Sequence, residues 1–414
     1  MKAEIKNRIE QIRQGKVPAD YKKTKHGIFP KEWEIGPVGD LIQEYKSFSN
    51  DIESMPVYSS SRNGLIRQAE YYDRKESQKT NLGYKVVPPE YVTYRHMSDD
   101  DIFHFNINTT GESILVSAEY PVFRSNGHSD LNFLIPLLNN SPQFRYFCRT
   151  QKLGGTRTRL YFRVLETYEI VAPCLEEQQK IAKILMTQDR VVALQEKLLA
   201  EKLRQKQYLM QVLLTGKKRL PGFSEPWKEV KLGDIFSERT ETNHPELELL
   251  AITGTKGVIP RNQLDLKDNS SEDKSKYLKI CIGDIGYNTM RMWQGVSAYS
   301  NYEGIVSPAY TILKPNGRNH ARFFAYLFKL PEIIFLFYRY SQGLVDDTRN
   351  LKYSNFKKIR VKCPVNEKEQ MAIADILVTA DQEIGLLRQA LEQERRKKKA
   401  LMQLLLSGIV RVKP

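Results

Sequence analysis

Arginine carries a rigid fork of N–H donors, and asparagine sets a donor beside an acceptor. In this chain both types recur next to turns. Such a fork can bond guanine O6 and N7, a carboxamide can bond adenine N6 and N7, and each pair discriminates by about 1–3 kcal/mol. The candidates are Arg62, Asn63, Arg95, His96, Arg157 and Arg159 in the first half, and Lys256, Asn288, Arg291 and Arg349 in the second. Any of them can equally serve a phosphate. Asp99, Asp100 and Asp101 could form a metal cluster, but an acidic run following Ser98 reads as a solvated turn. RRKKK at 395–399 reads as a solvated helix face or docking strip that adds salt-sensitive affinity.

Other chemistry is missing from the letters. There is no G-x-x-x-x-G-K-[ST] loop, no Gly-rich cofactor fingerprint after a strand and no G-x-S-x-G elbow. VPPEY at 87–91 lacks the preceding Asn or Asp and the closing aromatic of an amino-methyltransferase tetrapeptide. Cys148, Cys174, Cys281 and Cys363 form no C-x-x-C pair, and no His stands at metal-ligand spacing, which fits a reducing compartment and no structural zinc. Lys and Arg exceed Asp and Glu by fifteen, so a polyanion is the expected partner. No apolar run reaches the roughly 18 residues of a membrane span, and MKAEIKNRIEQ has no signal-peptide core. A cytoplasmic protein without a membrane partner is expected.

The elements that must position these donors are announced by a repeat. Displaced by 192, residues 177–216 align with 369–408 at 18 identical positions of 40, and LMQVLLTG (209–216) returns as LMQLLLSG (401–408). The match runs on more faintly: YSSSRNGLI (58–66) faces AITGTKGVI (251–259), VSAEY (116–120) faces VSPAY (306–310), and Tyr84, Tyr94 and Met97 face Tyr277, Tyr287 and Met290. Trp33 and Trp227 each precede a Gly-Asp pair by six residues. Each half is therefore one globular domain followed by one long helix, and tyrosines shared by both halves suit scaffold as well as contact. β-rich stretches bounded by Gly, Pro and Asn indicate a mixed α/β domain with much sheet.

From about Glu177 to Leu214 there is no Pro or Gly, and Ile184, Val191, Leu194, Leu198, Tyr208 and Val212 keep helical spacing. Leu377, Ala380, Ile384, Leu387, Leu391, Leu401 and Leu405 do the same in the second copy. A lone helix cannot cover such a stripe, and each large side chain buried is worth roughly 1.5–3 kcal/mol. The simplest cover is the other copy, in a coiled coil about 57 Å long at about 1.5 Å per residue. Glu201, Gln205, Glu394 and Lys398 interrupt the stripes and are expected to set register. The alternative is that each helix packs only on its own domain. RIEQIRQGK (8–16), with Gly15 and later Trp33, looks like an abbreviated third copy of the helix end, which makes the arrangement nearly cyclic.

EQQKIAKIL after Pro173, EQMAIADIL after Pro364, the two octapeptides, the junction PGFSEPWKEVKLGD (221–234) and the G-[LV]-I turns after Arg62-Asn63 and Thr255-Lys256 together cover the whole chain. In these it resembles the DNA-specificity (S) subunit of type I restriction-modification systems. The resemblance implies an N-terminal helical segment (1–26), target recognition domain 1 (27–174), a central helical region (175–220), target recognition domain 2 (221–365) and a C-terminal helical region (366–414). The implied fold is mixed α/β, with two β-rich recognition domains in pseudo-twofold repeat, separated by two long antiparallel-packed coiled-coil helices.

The resemblance further implies a non-catalytic adaptor whose domains each read half of a bipartite, asymmetric target in double-stranded DNA. The helices would serve as spacer and as docking surface for two methylation (M) subunits, with restriction/translocase (R) subunits joining them. It places S-adenosylmethionine, ATP and Mg in those partners and no cofactor in this chain. GGTRTRL (154–160) and DDTRNL (346–351) replace the family's Gly-Ser-Asn-rich loop, and the second carries two acids. A sequence-nonspecific DNA scaffold, or a self-contained methyltransferase or nuclease, are the alternatives.

Overall fold

A computed structural model describes residues 3–68, 83–152, 156–254, 256–264, 273–317 and 319–412. Gly154, Gly155 and Thr255, from two of the motifs above, lie outside the described residues. The chain divides into two compact units, Met1–Leu194 with Leu391–Pro414, and Gln195–Ala390. This division falls inside the long helices, so each unit holds the start of one helix and the end of the other.

In the first unit a four-stranded antiparallel sheet runs in the order Phe105–Ile107, Val92–Tyr94, Val122–Ser125, Ile42–Glu44. The second unit repeats that order with Ser297–Tyr299, Ile285–Asn288, Tyr310–Pro315 and Phe236–Arg239. Val92–Tyr94 is buried along its whole length, and against it pack Phe105, Phe123 and Leu134 and Leu138 of helix Leu131–Asn140. Asp130 caps that helix by accepting from Asn132 N, and Ser141 caps Pro142–Thr150 by accepting from Phe144 N. A buried tyrosine hydroxyl needs a partner. Tyr94 and Tyr287, both fully buried, donate to the carbonyls of Leu160 and Leu351, each at 3.0 Å. These recurring tyrosines are scaffold.

The long helices span Leu175–Leu213, 39 residues, and Glu367–Leu406, 40 residues. Within the first unit Glu177 meets Arg411, Gln188 meets Glu394 and Asp189 meets Lys398; within the second, Lys202 meets Glu383, Lys206 meets Asp381 and Arg219 meets Glu369. Partner numbers fall as residue numbers rise, so the helix segments pair antiparallel in both units. Displacement by 192 turns the Lys206–Asp381 pair into Lys398–Asp189, and both are 2.5 Å long. Packing of each helix only on its own domain is thereby excluded.

The apolar stripe on the first helix is only partly where the letters place it: Ile184, Val191 and Val212 are half-buried, the first and last against the cores. Leu194, Leu198 and Tyr208 are 57%, 44% and 58% exposed, whereas the covered line passes through Ile181, Leu185 and Gln188 and, in the second unit, Lys202, Lys206, Leu209 and Leu213. Polar side chains can take seam positions because each has a partner across the pair: Gln188 Nε2 donates to Glu394 Oε2 at 2.6 Å, and Lys206 to Asp381. Of the four expected register residues, Glu394 and Lys398 bridge the helices, while Glu201 and Gln205 are exposed.

Both helices stop alike. Gly216 and Gly408 sit at φ 72° and 70°, the left-handed cap that favours glycine. Two residues on, Lys218 N and Val410 N reach back to the carbonyls of Val212 and Leu404. A Cβ on Gly216 would meet the Trp227 ring at 3.2 Å, and one on Gly408 would meet Trp33 at the same distance and Pro30 at 2.6 Å. In the first unit the N-terminal segment closes on this corner, Tyr21 OH donating to Gly408 O at 2.7 Å and Arg8 to Ile409 O at 2.6 Å.

Just beyond each glycine an arginine clasps a buried glutamate. Arg411 bonds both oxygens of Glu177 at 2.8 and 2.7 Å, and Arg219 both oxygens of Glu369 at 2.7 and 2.9 Å; both glutamates are 1% exposed. Removing one partner of such a pair strands a buried charge at a cost of about 3–5 kcal/mol. Arg219→Ala and Arg411→Ala should each lower unfolding stability by about 3 kcal/mol, read by denaturant titration. A loss below about 1 kcal/mol would place the pair with ordinary surface bridges.

Candidate nucleic-acid interface

In the first unit the candidate donors are gathered by three segments. Arg62 and Asn63 form the turn of the hairpin Tyr58–Ser61 and Gly64–Arg67, closed by Ser61 Oγ, which accepts from Asn63 N and donates to Gly64 O. Arg159 lies on the short strand Thr158–Arg159, which pairs with Met97–Ser98. Between these runs the 98–102 turn, where Asp101 is left-handed at φ 63° and Ser98 Oγ accepts from Ile102 N at 3.1 Å. The carboxylates of Asp99 and Asp100 face outward onto cations, while Asp101 is mostly covered. Asp100 pairs with Arg62, Asp99 takes Arg157 Nε at 2.8 Å, and Asp101 accepts from Thr158 Oγ1 and lies 3.6 Å from Arg149. The Arg62 guanidinium holds the Asp100 carboxyl below its usual range. A polar cavity of about 240 Å³ opens on this face, with Ser59, Ser61, Arg62, Arg95, Asp99 and His104 in its wall.

Arg62, Asn63, Arg95, Arg157 and Arg159 are thus brought to one polar surface. His96 is not: it is 4% exposed, stacked on Tyr161 with centroids 5.7 Å apart, and its carbonyl accepts from Leu160 N. Burial pushes the His96 imidazole below its ordinary value, and burial together with Arg62 does the same to His104.

In the second unit the hairpin Leu250–Thr253 and Gly257–Pro260 repeats the closing device, Thr253 Oγ1 accepting from Lys256 N and donating to Gly257 O. Asn288 ends the strand Ile285–Asn288 and caps the next turn, its Oδ1 accepting from Met290 N and its carbonyl from Arg291 N. Leu351 N bonds Thr289 O, which draws Arg349 beside this turn. Arg349 is held on aromatic faces, its Cζ 4.1 Å from the Tyr338 ring and 6.0 Å from Trp293, with Asp346 3.3 Å away. Half-buried Lys329 fixes the far side by donating to the carbonyls of Gly295 and Ser297 at 2.7 and 2.6 Å; burial, then Lys206, pushes its ammonium down to about 8. Asn288, Arg291 and Arg349 come together, whereas Lys256 stands on its own hairpin without a hydrogen bond to them.

Two features escaped the sequence reading. The acidic run is a turn, as expected, but one that holds arginines from 38 and 58 residues away. The Trp293–Tyr338 platform under Arg349 left no signal beyond the aromatic letters themselves.

Comparison with known proteins gives this geometry its class. Residues 30–202 and 224–394 both match the type I restriction modification DNA specificity domain. These segments cover most of the chain, which therefore belongs to that family, whose members are non-catalytic targeting subunits. It is 23% identical over 436 residues, 95% of this chain and 97% of the other, to a protein of Methanocaldococcus jannaschii named as the type I restriction enzyme MjaX specificity subunit. In fold it is similar to the S subunit of a type I restriction-modification system from M. genitalium, with a TM-score of 0.56 and 14% identity over 90% of this chain and 96% of that one. It is also similar to a chain from a structural study of type I complex assembly and conformational transition, with a TM-score of 0.50 and 16% identity over 92% and 99%. No described helix is long and apolar enough to cross a membrane.

The lowered histidines give a test of this face. Their folded values lie below about 6.5, so as pH falls through that range the unfolded chain takes up protons the fold refuses, and stability drops. The loss in unfolding free energy between pH 7.5 and 5.5 should be smaller in a His96→Gln, His104→Gln double variant. An unchanged loss would show that neither histidine is held neutral.

Proposed function

We propose that each β-rich domain reads one half of a split, asymmetric DNA target. Arg62, Asn63, Arg95, Arg157 and Arg159 make contacts in one half-site, and Lys256, Asn288, Arg291 and Arg349 in the other. The observation that carries this reading is a shared scaffold under unlike faces. Strand order, tyrosine anchors and helix caps recur in both units, yet the first presents arginines held by acids and the second an arginine on aromatic rings. Equal scaffolds dock alike, and unequal faces read different bases. The long helices act as the spacer between half-sites and as the docking surface for two methylation subunits, which bring S-adenosylmethionine. Restriction subunits add ATP and Mg, and the complex works in the cytoplasm.

Replacing residues 27–172 by another recognition domain should change one half of the methylated motif and leave the other intact, as read by genome-wide mapping of methylated adenine. A change in both halves would count against modular reading. Four residues inserted in one long helix add about 6 Å, slightly under two base-pair steps of about 3.4 Å. The preferred gap between half-sites should therefore grow, and an unmoved gap would rule the spacer out. Equal affinity for all duplexes at fixed salt would favour a nonspecific scaffold instead.

A further inference from the structure

Three consecutive acids are out of place on the face where a chain of net charge +15 is to meet a polyanion. Stability does not account for Asp99 and Asp100. Asp99 and Arg157 have side chains 67% and 52% exposed, Asp100 and Arg62 45% and 55%, and exposed pairs of this kind contribute little. Asp101 is different, its side chain being only 14% exposed, and it ties the turn to Thr158 and Arg149. Asp99 and Asp100 instead hold cations that reach out of the fold.

The way they hold them preserves the arginines' use. Arginine has five N–H donors in a fixed fork. Asp99 occupies only Nε of Arg157, so both terminal amino groups remain for the paired acceptors of a guanine edge. Asp100 takes one Nη of Arg62 and is itself fixed by Ser98 Oγ at 2.9 Å, so the hairpin arginine is aimed from a rigid base. A carboxylate at this place also repels phosphate. It disfavours a duplex that offers only backbone, and tolerates one whose bases engage the fork.

The second unit has no such run. At the repeat offset of 193 that aligns Met97 with Met290, Asp99–Asp101 fall on Met292, Trp293 and Gln294, a short 3-10 turn, and Arg349 is steadied by rings and by Asp346. Asp346 holds Arg349 by Nε as Asp99 holds Arg157, but a turn of consecutive acids that holds two arginines is described in the first unit alone.

We infer that Asp99 and Asp100 are specificity-determining residues of the first domain, orienting Arg157 and Arg62 toward base edges and keeping those arginines from settling on phosphates. This rests on the reading of Arg62 and Arg157 as DNA contacts.

The test uses the full chain assembled with its methylation subunits, presented with a library of degenerate duplexes, for the wild type and for Asp99→Asn, Asp100→Asn, Arg157→Ala and Arg62→Ala. Both Asn variants should bind unrelated duplexes several-fold more tightly and lose on the order of tenfold in preference for the wild-type motif, all of it in the half read by the first domain. An equal gain for motif and unrelated duplexes, or a loss spread over both halves, would overturn the inference and leave only a change of net charge. If the Ala variants blur the first half-site while the Asn variants do not, the acids have no such role although the contacts stand. If the Ala variants alter nothing, the contact reading itself is wrong. Unchanged melting temperatures of the exposed Asn variants separate these results from misfolding.

Discussion

A buried glutamate at the first turn of each long helix, clasped through both oxygens by an arginine that follows the end of the other helix, is the constraint on which this architecture turns. A carboxylate 1% exposed is tolerable only with its hydrogen bonds complete. The arginine can reach it only if the neighbouring helix has stopped in the right place. That stop is enforced by a left-handed glycine against a tryptophan ring, with no room for a Cβ at Gly408. Within each unit, helix length and antiparallel pairing are thereby coupled at one corner. The pairing that follows is polar in its middle, with Gln188, Lys206 and Lys398 bonded across it, so specific partners contribute register where apolar burial is thin.

On this framework the loop-bearing faces of the two units are free to differ. The sheets of the two units share order and buried tyrosines, and their hairpins close with the same hydroxyl device, Ser61 in one and Thr253 in the other. What changes is how a loop arginine is kept in place: carboxylates in the first unit, ring faces together with Asp346 in the second. Both solutions limit side-chain freedom in the folded chain, which on the proposed reading would reduce the ordering cost of binding.

Much of this was legible because contacts that occur twice leave their letters twice. Glu177 and Glu369, Asp189 and Asp381, Lys206 and Lys398, and Arg219 and Arg411 are identical at the same offset, so the helix pairing is written into the repeat. The octapeptide ends on glycine in both copies because both caps need φ near 70°. The seam on the first helix is legible only in part: Ile184 and Val212 lie against the cores, but counting apolar letters cannot show that Gln188 and Lys206 find partners while Leu194 and Leu198 face water. His96 reads as a donor beside Arg95, yet on a strand end its neighbour points out and it points in. The arginine–aspartate pairs were invisible for a simpler reason: they join residues brought close only by folding.

The corner where Tyr21 and Arg8 meet the carbonyls after Leu405 is the counterpart of the passage from Gly216 to Trp227, each built on a left-handed glycine against a tryptophan. The glutamate clasps, the glycine caps and the Lys–Asp bridge all recur at one offset, so a half-length polypeptide paired with a copy of itself would form each of them. Gene duplication and fusion then suffice to explain the present chain. The ancestor would have had two identical faces and a palindromic preference, and only after the copies were joined could one face drift without dragging the other along.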